Sequence, residues 1–285
     1  MYLDFFKLKQ KPFTIKSDNN VLYMSPQYTT AFALLQYGIE NCDGFTVITG
    51  EVGCGKTTLC GALIRELNPL EYIIISLSIP PQDERQLLNA ICLRLDLPTD
   101  SGESIEEIRD KITEKLRRER SSGKRTVLII DESQNLDFSS LETVRLLSNI
   151  ERDDEKLLHI ILVGQPELKE KLRKTCMRQL RQRISVYHDL KPLSFLDTKN
   201  YIFHRINLAR EEAPSEKKFQ IKREQIPMFS FFALRKIYTA SRGIPRVINN
   251  ICDKALISAF IDYSTKVRLC DVRRALKDIN QLRRV

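Results

Sequence analysis

The 285-residue chain contains no stretch of apolar residues long enough to cross a bilayer, for which about 20 are needed. Its opening stretch, MYLDFFKLKQKPF, mixes charges with aromatics and lacks the apolar centre of a secretory signal. Seven cysteines are present (Cys42, Cys54, Cys60, Cys92, Cys176, Cys252 and Cys270), an odd number with no C-x-x-C pair. That pattern speaks against a disulfide framework or a zinc site and suits a reducing cytoplasm. Histidine is scarce, and His159, His188 and His204 are scattered, so no chemistry is assigned to them. There is no sequence repeat and no long low-complexity tail. These absences lead us to expect a globular, cytoplasmic chain without a transmembrane segment.

What is present is ordinary in bulk but uneven in charge. Apolar residues make up 42% of the chain and charged residues 29%, a globular composition with length enough for two domains. The net charge of +9 is concentrated. Residues 1–182 carry 25 basic and 27 acidic side chains, whereas residues 183–285 carry 21 basic and 10 acidic. A basic C-terminal third can meet nucleic acid, an anionic membrane surface or phosphate on a neighbouring subunit, or it can be a solvated face.

Residues 46–58 read TVITGEVGCGKTT. Gly50, Gly53, Gly55, Lys56 and Thr57 fit the phosphate-loop pattern G-x-x-x-x-G-K-[ST], which requires a strand before it and a helix after it. Phe45–Thr49 is a short β-branched and aromatic run, and Lys56–Leu67 has apolar residues at helical spacing. The candidate cradle therefore comprises Gly50, Glu51, Val52, Gly53, Cys54, Gly55, Lys56, Thr57 and Thr58. Glycines let the backbone approach phosphates, and amides at the helix start point at negative charge. Lys56 is expected to reach the β- and γ-phosphates and Thr57 to ligate Mg²⁺. Cys54 reads as a small tolerated side chain within the loop.

A second motif, Val127-Leu128-Ile129-Ile130-Asp131-Glu132, places two carboxylates after four apolar residues of a buried strand. Ligands bind at such strand ends in open α/β sheets. Asp131 is expected to share the Mg²⁺ with Thr57, and Glu132 to orient or polarise an attacking water. The two motifs together point to a nucleoside triphosphate hydrolase.

Five apolar runs read as parallel strands: Phe45–Thr49, Tyr72–Leu77, Val127–Ile130, His159–Val163 and Ile184–His188. Helical spacing separates them over Arg85–Leu95, Ser104–Arg118 and Leu141–Ile150, with Ser104 and Glu107 forming a capping box. After Pro192 helices alone are expected, over Asp197–Arg210, Phe229–Ser241, Arg246–Phe260 and Cys270–Leu282. The charged segment Glu211–Gln225 reads as a mobile loop. The expected domains are an N-terminal arm and first helix at 1–42, an α/β core at 43–191 and a helical lid at 192–285.

This order of motifs resembles the AAA+ ATPases. The resemblance implies a phosphate-loop fold with a five-stranded parallel sheet flanked by helices and a C-terminal all-helical lid. It also implies a preference for ATP. Gln165, in LVGQPEL, matches the polar sensor that helps place the attacking water. In Arg178-Gln179-Leu180-Arg181-Gln182-Arg183, Arg183 best matches the arginine that reaches a neighbour's γ-phosphate, and Arg181 is second. Pro245 and Arg246, in Gly243-Ile244-Pro245-Arg246, resemble the start of the lid helix carrying a second sensor arginine. More closely, MYLDFFKLKQKPFTI, LYMSPQYTTAFALLQYGIE, DESQNL, GQPEL, LRQRI and SRGIPRVINNICDKAL resemble the ExeA-type general-secretion ATPases and their MshM-like relatives in pilus biogenesis. In that family the arm packs near the adenine, which makes Pro12, Phe13 and Tyr23 candidates for a base pocket. For Phe13, simple packing of the arm is an equal reading.

Three departures from the family pattern matter. Ser133 stands where alanine is common, and the Glu211–Gln225 segment is longer than usual. The sequence also ends after the lid, without the membrane segment and peptidoglycan-binding part of full ExeA proteins. The expected function is therefore Mg²⁺-dependent ATP hydrolysis by a homo-oligomer whose active sites lie between subunits. It would serve a secretion, pilus or export assembly, with recruitment to the inner membrane left to a partner. The alternative is a DNA-associated ATPase resembling the TnsC and IstB-type transposition regulators, with the basic C-terminal third on DNA.

Overall fold

The structure, a computed structural model, describes residues 2–14, 22–41, 44–81, 83–152, 155–210 and 228–282. The Glu211–Gln225 segment and Cys42 lie outside the described residues. In chain order the helices are α1 (Tyr2–Phe5), α2 (Pro26–Asn41), α3 (Lys56–Glu66), α4 (Glu84–Arg94), α5 (Ile105–Ser121), α6 (Phe138–Leu147), α7 (Pro166–Arg173), α8 (Arg178–Arg181), α9 (Phe195–Leu208), α10 (Phe231–Ser241), α11 (Pro245–Ile261) and α12 (Leu269–Leu282). By its contacts the chain forms two compact units. One comprises Pro26–Val52 and Lys56–Lys191, the other Met1–Ser25, Gly53–Gly55 and Pro192–Val285.

The first unit is built on five strands, β1 (Phe45–Gly50), β2 (Tyr72–Leu77), β3 (Arg125–Ile130), β4 (Leu158–Gly164) and β5 (Ile184–Leu190). They pair in the order β2-β3-β4-β1-β5, and every pairing is parallel. Every residue of β1 and β4 is buried, as expected of parallel strands covered on both faces. Val47 lies opposite Leu162 on one side and Tyr187 on the other. One face of the sheet packs Leu128, Ile130 and Ile160 with Leu87 and Ile91 of α4 and Ile108 and Ile112 of α5, all essentially inaccessible. The capping box of α5 forms as its spacing predicts: Ser104 Oγ accepts from the Glu107 N–H at 3.2 Å, and Glu107 Oε2 accepts from the Ser104 N–H at 2.6 Å. A two-residue antiparallel pairing of Glu151–Arg152 with Glu155–Lys156 precedes β4.

The second unit is helical, from α9 to α12, with one correction to the expectation of helices alone. Met228–Phe229 pairs in parallel with Lys266–Val267. Phe229 and Val267 are both buried, which favours two short extended segments side by side. Gly243 is required by its backbone: its φ is +78°, and a Cβ there would stand 2.0 Å from the Leu193 carbonyl oxygen.

The arm expected at 1–42 is divided between the units. Residues up to Ser25 group with the helical unit, and α2 groups with the α/β unit. The reason lies in specific anchors. Tyr2 donates to Asp253 Oδ1 at 3.2 Å, and Phe5 packs edge-on against Phe260. The buried Arg205 guanidinium donates to the carbonyls of Pro12 and Thr14 at 2.6 and 2.9 Å. Among the described residues no helix is long and apolar enough to cross a membrane.

Candidate functional site

A parallel sheet collects its strand ends on one side. In register, Thr49 of β1 pairs with Gly164 of β4, and Ile130 of β3 with Leu162 of β4. The residues that follow these positions, Gly50 to Thr57, Asp131 with Glu132, and Gln165, are therefore delivered to the same end of the sheet. Gly55 turns the loop into α3 with a φ of +93°, which a side chain would strain. Lys56 is the first residue of α3 and is 6% exposed. Its ammonium donates to the carbonyls of Gly50 at 2.7 Å and Glu51 at 3.1 Å, so the charge sits inside the turn of the loop. Cys54 is buried in the loop, and the nearby Cys60 thiol is pushed up to about 12 by burial and by Asp131, which leaves it without thiolate character. Glu51 and Val52 are exposed, and Thr58 is half-buried on the first turn of α3.

Thr57 donates its hydroxyl to Asp131 Oδ2 at 2.5 Å, and Asp131 is 7% exposed. Adjacent ligands of an octahedral Mg²⁺ lie about 3 Å apart, at ~2.1 Å from the ion, and such sites use few protein oxygens beside phosphates and water. Two hard oxygen donors side by side fit that ion after a shift of a few tenths of an ångström. Among the described residues no group of three or more His, Cys, Asp or Glu side chains competes as a metal cage.

Glu132 follows in left-handed backbone geometry, with φ 52° and ψ 36°. Such a conformation is uncommon for a side-chain-bearing residue and clusters at functional sites. It turns the chain out of β3 into the short 3-10 turn Ser133–Asn135. Glu132 Oε2 accepts from Gln165 Nε2 at 2.9 Å and from Gln134 Nε2 at 2.6 Å. The two amides, with Lys56 nearby, hold the Glu132 carboxyl below its ordinary range against the opposing effect of burial. Gln165 is the residue before α7, whose first position is Pro166. Its own N–H donates to Gln134 Oε1 at 3.0 Å. Gln134 was not singled out from the sequence, although it lies in the same DESQNL stretch. Its partner stands 31 residues away. Ser133, the departure from alanine, is buried and donates to the Ile130 carbonyl at 2.7 Å, so its hydroxyl is satisfied within the turn.

The two candidate trans arginines lie at the other end of the sheet, before β5. Arg183 is half-buried, donates to Ser148 Oγ at 3.4 Å, and its carbonyl accepts from the Phe45 N–H at 3.0 Å. Arg181, in α8, is exposed and donates to the Arg173 carbonyl at 3.0 Å. The seven residues of β5 put about 20 Å between its two ends, so neither arginine reaches the phosphate loop of its own chain.

In the helical unit Pro245 is the first residue of α11 and Arg246 the second. The unit includes Gly53–Gly55, and within it the Arg246 N–H donates to the Gly53 carbonyl at 3.2 Å. Arg246 is among the residues lining a cavity of about 420 Å³, with Lys236, Asn250, Ile251 and Leu276, and its side chain runs close along Gly53. Of the base-pocket candidates, Phe13 is 3% exposed and packs edge-on against Phe229, the placement of a packing residue. Tyr23 is half-buried, beside Tyr201 and His204. Pro12 contributes its carbonyl to Arg205.

The five-stranded parallel sheet, the glycine-rich loop and the Asp-Glu strand end are those of the AAA+ phosphate-loop fold, and residues 40–172 match the AAA domain family. The sequence is 40% identical, over 283 residues, to general secretion pathway protein A of Aeromonas hydrophila. That match takes in 99% of this chain and 49% of the relative, so the chain spans about half the length of the protein it matches. Together these findings fit an ExeA-like AAA+ ATPase. Among solved structures, Cdc6p from Pyrobaculum aerophilum superposes with a TM-score of 0.65 at 16% identity, over 94% of this chain and 70% of that one. The Aeropyrum pernix ORC1 protein, solved in complex with DNA, gives 0.64 at 15% identity, over 96% and 70%. At those identities the likeness is one of fold.

Proposed function

We propose that this chain is a Mg²⁺-dependent ATP hydrolase that works as a homo-oligomer on a secretion, pilus or export assembly at the cytoplasmic side. The observation that carries the hydrolase reading is the convergence at one sheet end of Lys56, the Thr57–Asp131 pair and the Glu132–Gln165 pair. Lys56 and the loop amides bind the β- and γ-phosphates. Thr57 and Asp131 hold Mg²⁺, which when bound neutralises charge on the phosphates. Glu132, oriented by Gln165, directs water at the γ-phosphorus. Arg246, whose N–H bonds the Gly53 carbonyl of the loop, contacts phosphate in cis, and an arginine before β5 contacts it from the neighbour. Of the two, Arg181 is exposed and Arg183 half-buried, which favours Arg181 as the one that projects. The choice of ATP, and Tyr23 as a wall of the base pocket, rest on the family resemblance. The secretion assignment rests on the 40% identity to general secretion pathway protein A, over the half of that protein which is matched.

The test is the ATPase rate against protein concentration, with and without double-stranded DNA, across a salt series. A rate per subunit that rises with concentration and ignores DNA supports the self-assembling secretion reading. Stimulation by DNA that fades as salt rises replaces it with a transposition-type role for the basic C-terminal third. No turnover at any concentration refutes the hydrolase.

A further inference from the structure

A carboxylate at the end of a strand normally inherits its direction from the strand. Glu132 does not, because its backbone has already left β3 in the left-handed region. Its direction is set by what its oxygens bond. Gln134 and Gln165 both donate to the same atom, Oε2. Gln134 is braced at each end. Its Oε1 accepts from the Gln165 N–H, and its main-chain carbonyl accepts from Lys171 Nζ at 2.7 Å. Lys171 also donates to the Leu136 carbonyl at 2.5 Å, and its ammonium stands 5.8 Å from the centre of the Phe138 ring. A half-buried cation bonded to two carbonyls of one turn fixes that turn's position. Gln165 immediately precedes α7 and Lys171 lies six residues on, within that helix, so one helix and its leading residue grip the Gln134 turn at two points.

We propose that Gln134, clamped by Lys171, is a positioning residue for Glu132: it commits Oε2 to the two amides and leaves Oε1 to face the attacking water. The inference rests on the reading of Glu132 as the group that directs water. It adds to that reading a second amide and the lysine that holds it. Lys171 acts through Gln134 and touches no reacting atom. Removing one amide frees the carboxylate to rotate about its side-chain torsions. That lowers the fraction of encounters in which water is aligned, and a displacement of about 1 Å can cost up to ~100-fold in rate.

The test compares wild type with Gln134→Met, Lys171→Met and the double variant. Methionine keeps an unbranched chain of similar reach without the hydrogen bonds. Steady-state ATPase gives kcat and KM, and binding of a fluorescent ATP analogue with Mg²⁺ gives affinity without turnover. Thermal melting reports folding. Gln134→Met is expected to lower kcat about 10-fold or more, with KM and analogue affinity unchanged. Lys171→Met is expected to lower kcat less, and the double variant to match Gln134→Met alone, because both act through one contact. A purely structural role would move melting and affinity together with kcat and overturns the inference. So does an unchanged kcat, a raised kcat (the amides then restrain Glu132), or additive losses in the double variant. Should Gln134→Met not fold, Lys171→Met carries the same decision. The reading beneath is separable: wild type without turnover sinks the hydrolase, whereas an active wild type with an indifferent Gln134→Met sinks this inference alone.

Discussion

His159 shows how one side chain can set acid sensitivity without taking part in catalysis. It lies in β4 at 1% exposure, and its Nε2 is 3.1 Å from the Thr46 hydroxyl. Gly38 of α2 is small where it must be, since a Cβ there would come within 3.3 Å of the imidazole. Burial pushes the imidazole down to about 4, below the ordinary histidine value. The unfolded chain therefore binds a proton that the folded chain refuses between pH ~6.5 and ~4. Stability attributable to His159 is present above that window and is lost as pH falls through it, by about 3 kcal/mol. Urea unfolding of wild type and His159→Gln, across that window, is expected to show a steeper fall for wild type; parallel curves refute the assignment. For Glu132 the proposed role is catalytic. Glu132→Gln keeps size and polarity and is expected to leave binding of a fluorescent ATP analogue intact while lowering kcat by ~10²-fold or more. Retained turnover would remove Glu132 from the water-directing role.

At the scale of elements, what the sequence revealed depended on how far apart the cooperating residues lie. The phosphate loop, the five strands and the α5 capping box are local patterns: each is set by residues within one turn or one strand, and each formed where the spacing placed it. Gln134 is different. Its significance comes from the amide of Gln165 and the ammonium of Lys171, which only the pairing of β3 with β4 brings beside it. No spacing rule joins residues across a sheet. The arm fails to read as one element for the same reason, because Arg205, which binds Pro12 and Thr14, is about 190 residues distant. Motif position favours Arg183 over Arg181, whereas exposure, which depends on the packing around each, favours Arg181. The turn before α11 was legible because a glycine must precede it. Gly243→Ala would meet both the +78° φ and the Leu193 oxygen, so it is expected to destabilise the protein by at least ~1–3 kcal/mol. A melting temperature equal to wild type would contradict that account.

At the scale of the whole molecule, the sheet keeps the two candidate arginines away from the phosphate loop of their own chain. The loop, Asp131, Glu132 and Gln165 follow the C-terminal ends of their strands, and Arg181 and Arg183 precede the N-terminal end of β5. A phosphate bound at one end is therefore beyond the reach of an arginine at the other, about 20 Å away along the strand. If Arg181 stabilises the transferring phosphoryl group, it does so on a neighbour. Such an arginine, supplied by another subunit, is worth ~10³–10⁵ in rate where it has been measured. Arg181→Ala and Glu132→Gln are then defective in opposite halves of one shared site. Each alone is expected to be nearly inactive. Mixed, they create interfaces in which Glu132 from the first variant faces Arg181 from the second, so activity should rise above either parent and peak near equal proportions. Repeating the mixture with Arg183→Ala in place of Arg181→Ala assigns the role between them, since only a variant lacking the projecting arginine can be complemented in this way. Absence of rescue for both, with each variant still binding the fluorescent ATP analogue, would mean that the site is completed within one chain and that these arginines serve the fold instead.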